Sequence, residues 1–368
     1  MTSDVLSQRA INRALLARQH LLRRWDSEPL AVVRQLVGLQ AQAPTPPYFA
    51  LWSRLARFDP DDLSRLILDR VVVRIALMRG TVYLVDAGDS LTLRPLLRST
   101  MERALRNTTY APRLDGIDLP ALATAGRALL EDKPRTTADA GTLLARRWPD
   151  RDPAALAFAL RALLPLVQTP PRGIWGAGGS PVCTTVEAWL GRPLDPAPSI
   201  EDVVLRYLAG FGPASVADAQ AWAGMTRLRP VFERLRPRLR TFRDERGREL
   251  FDLPDAPRPD PETPAPVRFV APFDDLLLSH ADRTRVISDE HRRVVFTQNG
   301  IVQATILVDG MVRGLWRTAR QRDAATLTVT PFRALSTTDI EALTAEGLRL
   351  LRFAEPDAAR HDVVFTGQ

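Results

Sequence analysis

The sequence has almost no lysine: Lys133 stands alone among 50 basic residues, and the rest are arginine. Cysteine is equally scarce, with Cys183 the only one, and there are four histidines. A lone cysteine excludes a disulfide within the chain. So small a Cys/His set also excludes zinc-ribbon and iron–sulfur frameworks, so no metal and no cofactor is expected. No uninterrupted apolar run approaches the roughly 18 to 20 residues needed to span a bilayer. The stretch from Leu6 to Trp25 is arginine-rich and amphipathic, as a transit peptide can be, but lacks the apolar segment of a secretion signal. The expectation is a soluble, cytoplasmic protein without a membrane partner.

At 368 residues and 45% hydrophobic content, the chain is long enough for two to four packed units, because single cores stop growing at a few hundred residues. The 50 basic and 43 acidic residues leave a net charge of +7, a modest bias toward polyanions. The near-exclusive use of arginine says more, because its planar guanidinium grips phosphate bidentately and stacks on bases. A GC-rich coding bias is the competing explanation.

Leu15, Leu16 and Leu22 recur at helical spacing, as do Val33, Leu36, Val37 and Leu39, and Pro44, Pro46 and Pro47 stop the second helix just after Gln40 and Gln42. Helices over 48–58 and 60–69 precede the β-branched run from Val71 to Val73. A turn at Arg79–Gly80 and the alternating segment Thr81–Val85 then complete a hairpin. Helices followed by a two-stranded hairpin are the order of a winged helix. The same order recurs over 120–176, with strands at Val167–Gln168 and Ile174–Gly176, and again over 200–255. The prolines from Pro254 to Pro266 mark a linker. Beyond it, turns at Asn299–Gly300 and Asp309–Gly310 predict a three-stranded meander of Arg293–Gln298, Ile301–Val308 and Met311–Arg317. A strand at Thr326–Thr330 and a helix over 337–353 follow. The fold class is therefore α+β, with three tandem winged-helix units and a β-rich C-terminal domain. The expected boundaries are 1–115, 116–196, 197–260 and 261–368.

Serine-hydrolase, P-loop and dinucleotide-binding signatures are absent. Gln40–Ala41–Gln42 is the unusual feature: in an extended segment residues two apart share a face, so both amides could line one cavity. A helix end capped by exposed polar side chains is the plainer alternative. Arginines crowd the third unit, Arg227 and Arg229 among them, and others surround the meander, including Arg285, Arg313 and Arg317. Phosphate contacts from such residues would give affinity without reading sequence, although each one taken singly also reads as part of a solvated face. The hairpin at Asp309–Gly310, with Met311 and Arg313, is the candidate for insertion into nucleic acid.

The segments Leu39–Gln40–Ala41–Gln42–Ala43–Pro44, Met78–Arg79–Gly80–Thr81 and Phe273–Asp274–Asp275–Leu276–Leu277, taken in this order, resemble the tri-winged-helix bacterial DNA glycosylases of the AlkZ type. That group includes an azinomycin-resistance enzyme. The resemblance implies a catalytic glutamine pair, Gln40 and Gln42, in the branch acting on bulky N7-alkylpurines and interstrand crosslinks; other relatives carry aspartate at the second position. Tyr83 departs from the pattern, standing where many relatives have histidine. A purine alkylated at N7 is cationic and leaves readily as a neutral base. Two amide carbonyls holding a water against an oxocarbenium-like sugar are therefore a reasonable catalytic set. Lysine scarcity favours simple hydrolysis to an abasic site over Schiff-base strand cleavage. The expected DNA contacts are Arg79, Arg227, Arg229, Arg285, Met311, Arg313 and Arg317, on a monomer bound to double-stranded DNA. A non-catalytic winged-helix regulator and a protein that sequesters the alkylating compound are the competing readings.

Overall fold

The computed structural model describes residues 4–367. A short strand β1 (Val5–Leu6) and helix α1 (Gln8–Arg18) lead into the first unit: α2 (Pro29–Gln35), β2 (Leu39–Gln40), α3 (Pro46–Arg54), α4 (Pro60–Leu68), β3 (Val72–Ala76) and β4 (Val82–Asp86). Helices α5 (Ala87–Leu96) and α6 (Arg98–Arg106) connect to the second unit, which comprises α7 (Leu119–Asp132), β5 (Arg135–Thr136), α8 (Thr137–Leu144), α9 (Pro153–Leu163), β6 (Leu166–Gln168) and β7 (Val182–Thr185). After α10 (Val186–Leu190) comes the third unit, with α11 (Ile200–Phe211), α12 (Val216–Ala223), α13 (Arg229–Leu235), β8 (Arg240–Asp244) and β9 (Glu249–Asp252).

Several helix starts are written locally. Asp59 and Asp152 cap α4 and α9 with their carboxylates, and Pro60 and Pro153 then take the first helical position, where a missing N–H costs nothing. In each unit the last strand pairs with both earlier ones: β4 with β2 and β3, and β7 with β5 and β6. In the third unit β9 pairs with β8, and a single bridge from Ala214 to Phe251 replaces the first strand. The helix–strand–helix–helix–strand–wing–strand order therefore occurs three times. The first two units also share one six-stranded sheet, β2-β4-β3-β6-β7-β5, joined where Arg74 and Ile75 face Gln168 and Val167.

The C-terminal part carries β10 (Arg268–Val270), α14 (Asp275–Leu278), α15 (Asp289–Val295), β11 (Thr305–Val308), β12 (Met311–Gln321), β13 (Ala324–Pro331), α16 (Thr337–Ala354) and β14 (Arg360–Phe365). Its five strands lie in chain order, and α16 buries Leu343, Leu350 and Leu351 against Phe269, Leu327 and Val329. Helix α1 ties this part to the third unit. Arg18 makes a buried bidentate pair with Asp252 (2.7 and 2.8 Å), and Arg9 and Arg13 donate to the carbonyls of Pro261 and Thr263 in the proline-rich connection. Among the described residues no helix is long and apolar enough to cross a membrane.

The structure bears out the α+β class and corrects three elements. Helix α2 ends at Gln35, well before the prolines, because Val37 (φ 54°) and Gly38 (φ 103°) turn the chain left-handed into β2. Gly38 is required there, since a Cβ would lie 2.4 Å from the Val85 side chain. The second unit's last strand is Val182–Thr185, not Ile174–Gly176, so its wing is longer than the sequence implied. Residues 293–298 open in a helix instead of a strand: Ser288 caps α15, and Asp289 and Glu290 suit its first turn. The Asn299–Gly300 turn therefore closes only one bridge, Phe296 to Val302.

Candidate active site

Gln40 pairs with Tyr83 across β2 and β4, and the backbone stays extended as far as Ala41, whose N–H donates to Val82 O (2.7 Å). Gln40 is buried and Gln42 exposed. Gln40 Oε1 accepts a hydrogen bond from Arg79 Nη2 (2.6 Å), and Gln42 Oε1 accepts one from the Val82 N–H (3.1 Å). Neither donor can accept, so each amide has only one orientation that satisfies its partner. Between them, Arg74 Nη2 donates to Ala41 O (2.9 Å). The whole Gln40–Gln42 segment is thus held by the turn and strand of the first wing.

The two amides do not share one cavity. Gln40 lines a narrow crevice with Arg54, Asp274 and Asp275, whereas Gln42 lines a cleft of about 360 Å³ between the first wing, α6 and α9. Their common feature is that both side-chain oxygens end on the turn Met78–Val82.

Arg79 sits at the tip of that turn in the left-handed conformation (φ 56°). It was expected to contact DNA, but its guanidinium turns inward to Trp222 O (2.7 Å), Gln40, Tyr83 Oη (2.5 Å) and Asp275 Oδ1 (3.4 Å). The Tyr83 hydroxyl donates to the same Asp275 oxygen (2.7 Å). Asp275 is fully enclosed and its second oxygen has no partner. Burial pushes its carboxyl above the usual carboxylate range, and the Arg79 cation opposes that shift. Burial likewise raises the Tyr83 phenol well above its ordinary value. The first unit, the third unit through Trp222, and the C-terminal part through Asp275 all converge on this one arginine. The neighbouring Asp274 forms a buried bidentate pair with Arg54 (both 2.8 Å).

Arg74 is a second buried cation behind the segment. It donates to Gln168 Oε1 (3.3 Å) as well as to Ala41, and burial lowers its guanidinium to about 10.

The other expected DNA contacts divide. Arg285 is buried and donates to Pro213 O (2.9 Å) and Asp218 Oδ2 (3.3 Å), so it holds the third unit to the C-terminal part and does not reach the surface. The Asp309–Gly310 turn is not a free probe either. Asn12 Nδ2 donates to Gly310 O (2.8 Å) and lies 3.8 Å from Met311 Sδ, and Asp309 is ion-paired with Arg9 and Arg13. The turn is docked on α1 because a Cβ-free Gly310 lets Asn12 and Leu16 approach. Arg229 is exposed but faces Glu233 (3.4 Å) and Glu249 (3.8 Å). Arg227, Arg313 and Arg317 are exposed, the last two on one face of β12.

Sequence reasoning missed Arg74 and the role of Asp275. Asp275 stood within a quoted motif, but nothing in the sequence says that residue 275 reaches residue 79. The Arg74 signal was a charge in the middle of the β-branched run Val71–Ile75, where a solvated residue has no place.

Residues 33–353 match the family model described as AlkZ-like, DNA glycosylase AlkZ-like. The interstrand DNA cross-link repair glycosylase of Streptomyces sahachiroi is 25% identical over 360 residues, spanning 92% of this chain and 94% of its own. The solved structure of the Streptomyces sahachiroi DNA glycosylase AlkZ matches with a TM-score of 0.82 at 22% identity, covering 98% of this chain and 100% of that one.

Proposed function

The chain belongs to the AlkZ-like family of DNA glycosylases, and from that premise we propose that it hydrolyses the N-glycosidic bond of N7-alkylated purines, including bulky adducts and interstrand crosslinks, with Gln40 and Gln42 as its catalytic pair. The relative whose name includes cross-link repair supports this substrate class. The observation that carries the reading is the clamp on residues 40–42, from Arg79, Arg74 and the Val82 N–H. Three unrelated donors converge on a tripeptide whose outer residue is exposed, as preorganised chemistry requires.

The clamp refines the roles expected from sequence. Each amide oxygen already accepts one bond, so each retains one lone pair and a free NH2. In the mechanism we favour, a water donates to Gln42 Oε1 and turns an oxygen lone pair toward C1′ of the sugar, while Gln40, held by Arg79 on the crevice side, fixes the segment that carries Gln42. The C1′–N9 bond breaks, its electron pair neutralises the cationic purine, and the new C1′–O bond forms as the water proton passes to solvent. The Gln42 carbonyl dipole faces the developing sugar cation. Arg227, Arg313 and Arg317 supply phosphate contacts that position the duplex. Three winged units in one chain form a cradle that needs no second subunit, so the enzyme acts as a monomer.

The test uses duplexes bearing N7-methylguanine or a bulky N7 crosslink, incubated with chelator present, scoring base release and abasic sites. Release by the wild type is expected, with about 10²–10³-fold slower excision for Gln40→Ala and for Gln42→Ala. Tight DNA binding without base release would overturn the catalytic assignment and favour a regulator.

A further inference from the structure

Gln42 stands at the mouth of the 360 Å³ cleft, large enough for a small organic group and larger than any methyl lesion needs. The cleft exists because β3 and β6 pair, which sets α6 of the connection and α9 of the second unit side by side over one sheet. Its lining combines the apolar Ile75, Met101 and Phe158 with the two cations Arg161 and Arg172. Most arginines here are paired with carboxylates, but these two are not. Arg161 donates through Nε and Nη2 to Thr137 Oγ1 (3.0 and 2.8 Å), and Arg172 donates through Nη1 to Gly179 O (2.8 Å). The Nε of Arg172 is buried without a partner. A lining that holds two guanidinium groups, a methionine and a phenylalanine suits a flat aromatic ring carrying oxygen acceptors. The ring stacks on the cations and the sulfur, and its oxygens take the free N–H groups.

We propose that this cleft receives the aromatic, oxygen-bearing substituent of a bulky purine adduct while Gln42 acts on the sugar beside it. The inference rests on the glycosylase reading above and adds the origin of adduct preference. A substituent attached to the base whose sugar sits at Gln42 starts beside this cleft, because Gln42 is part of its lining. Gly80 and Ala104 both line the cleft and lie close together, a Cβ added at Gly80 falling 3.9 Å from Ala104 Cβ. Ala104 is exposed there, so a large side chain at this position obstructs the entrance without disturbing the core.

The experiment measures single-turnover excision of N7-methylguanine and of an N7 adduct carrying a two-ring aromatic group, for wild type, Ala104→Trp and Phe158→Ala, with thermal melting as a check on folding. The quantity of interest is the rate ratio, aromatic over methyl. It should fall about tenfold or more in both variants, the loss expected for blocking or removing one stacking platform. A ratio within about twofold of wild type in both folded variants would refute the cleft assignment while leaving the glycosylase reading intact. A wild type inert on both duplexes would refute both.

Discussion

Arg79 has two separable duties, neutralising Asp275 and aiming Gln40, and a double-mutant cycle distinguishes them. Arg79→Met leaves the enclosed Asp275 carboxylate with the Tyr83 hydroxyl and no cation. Stranding one member of a buried ion pair costs about 3–5 kcal/mol. Asp275→Asn keeps an acceptor for Tyr83 and removes the charge, so the double variant should recover most of that loss, a coupling of about 2–3 kcal/mol. The Arg79→Met deficit should also shrink on acidification. Asp275 has a raised folded-state pKa, so its contribution to stability is fullest in acid and declines as pH rises; without Arg79 the decline deepens. Catalysis should behave differently. The 2.6 Å bond from Arg79 to Gln40 is charge-assisted, worth about 1.5–3 kcal/mol, so its loss should slow excision about ten- to hundredfold. Asp275→Asn cannot restore it. Urea midpoints give the first quantity and single-turnover base release the second. If the double variant excises at the wild-type rate, Arg79 is only a counter-ion and the clamp on Gln40 is irrelevant to chemistry.

Arg285→Ala should lower stability by about 3–5 kcal/mol by stranding Asp218, yet leave the salt dependence of DNA binding unchanged once the fold is confirmed. Arg313→Ala and Arg317→Ala should each reduce the log K versus log salt slope by about one, read by fluorescence anisotropy at several salt concentrations; an unchanged slope removes β12 from the interface. His20 and His280 are pushed down by burial to about 4 and about 3. Their contribution is therefore complete above the ordinary imidazole value of 6.5 and is lost as pH falls from there toward their folded-state values. Urea midpoints should drop over that window, and His280→Gln should flatten the drop. Burial raises the Cys183 thiol to about 11, so alkylation by iodoacetamide at neutral pH should be slow in the folded chain and fast in urea.

The repeat was legible because winged units are written in local signals: caps, prolines at helix starts, and strand runs ended by glycine. Gln40 and Gln42 stood out for a physical reason too, as polar residues where an apolar period had been running. Illegible features depended on long-range partners. The Val294–Val295 pair is helical although it reads as strand: the Ser288 cap was the local signal, and packing of α15 on β12 decides the outcome. The arginine set misled most. Surface and interior arginines look alike in sequence, yet Arg285 serves a carboxylate 67 residues away and Arg79 one 196 residues away. A basic complement that is arginine but for Lys133 thus marks interior ion pairing here as much as a nucleic-acid surface.

The antiparallel seam between β3 and β6 has a practical meaning for anyone dividing this chain. Each unit uses the other as the cover for an otherwise open strand edge, so a fragment cut near residue 116 would present bare N–H and C=O groups from Arg74 and Ile75 on one piece and from Val167 and Gln168 on the other. Such halves should stick to themselves or to each other, and mixing them should restore solubility before either behaves as an independent module.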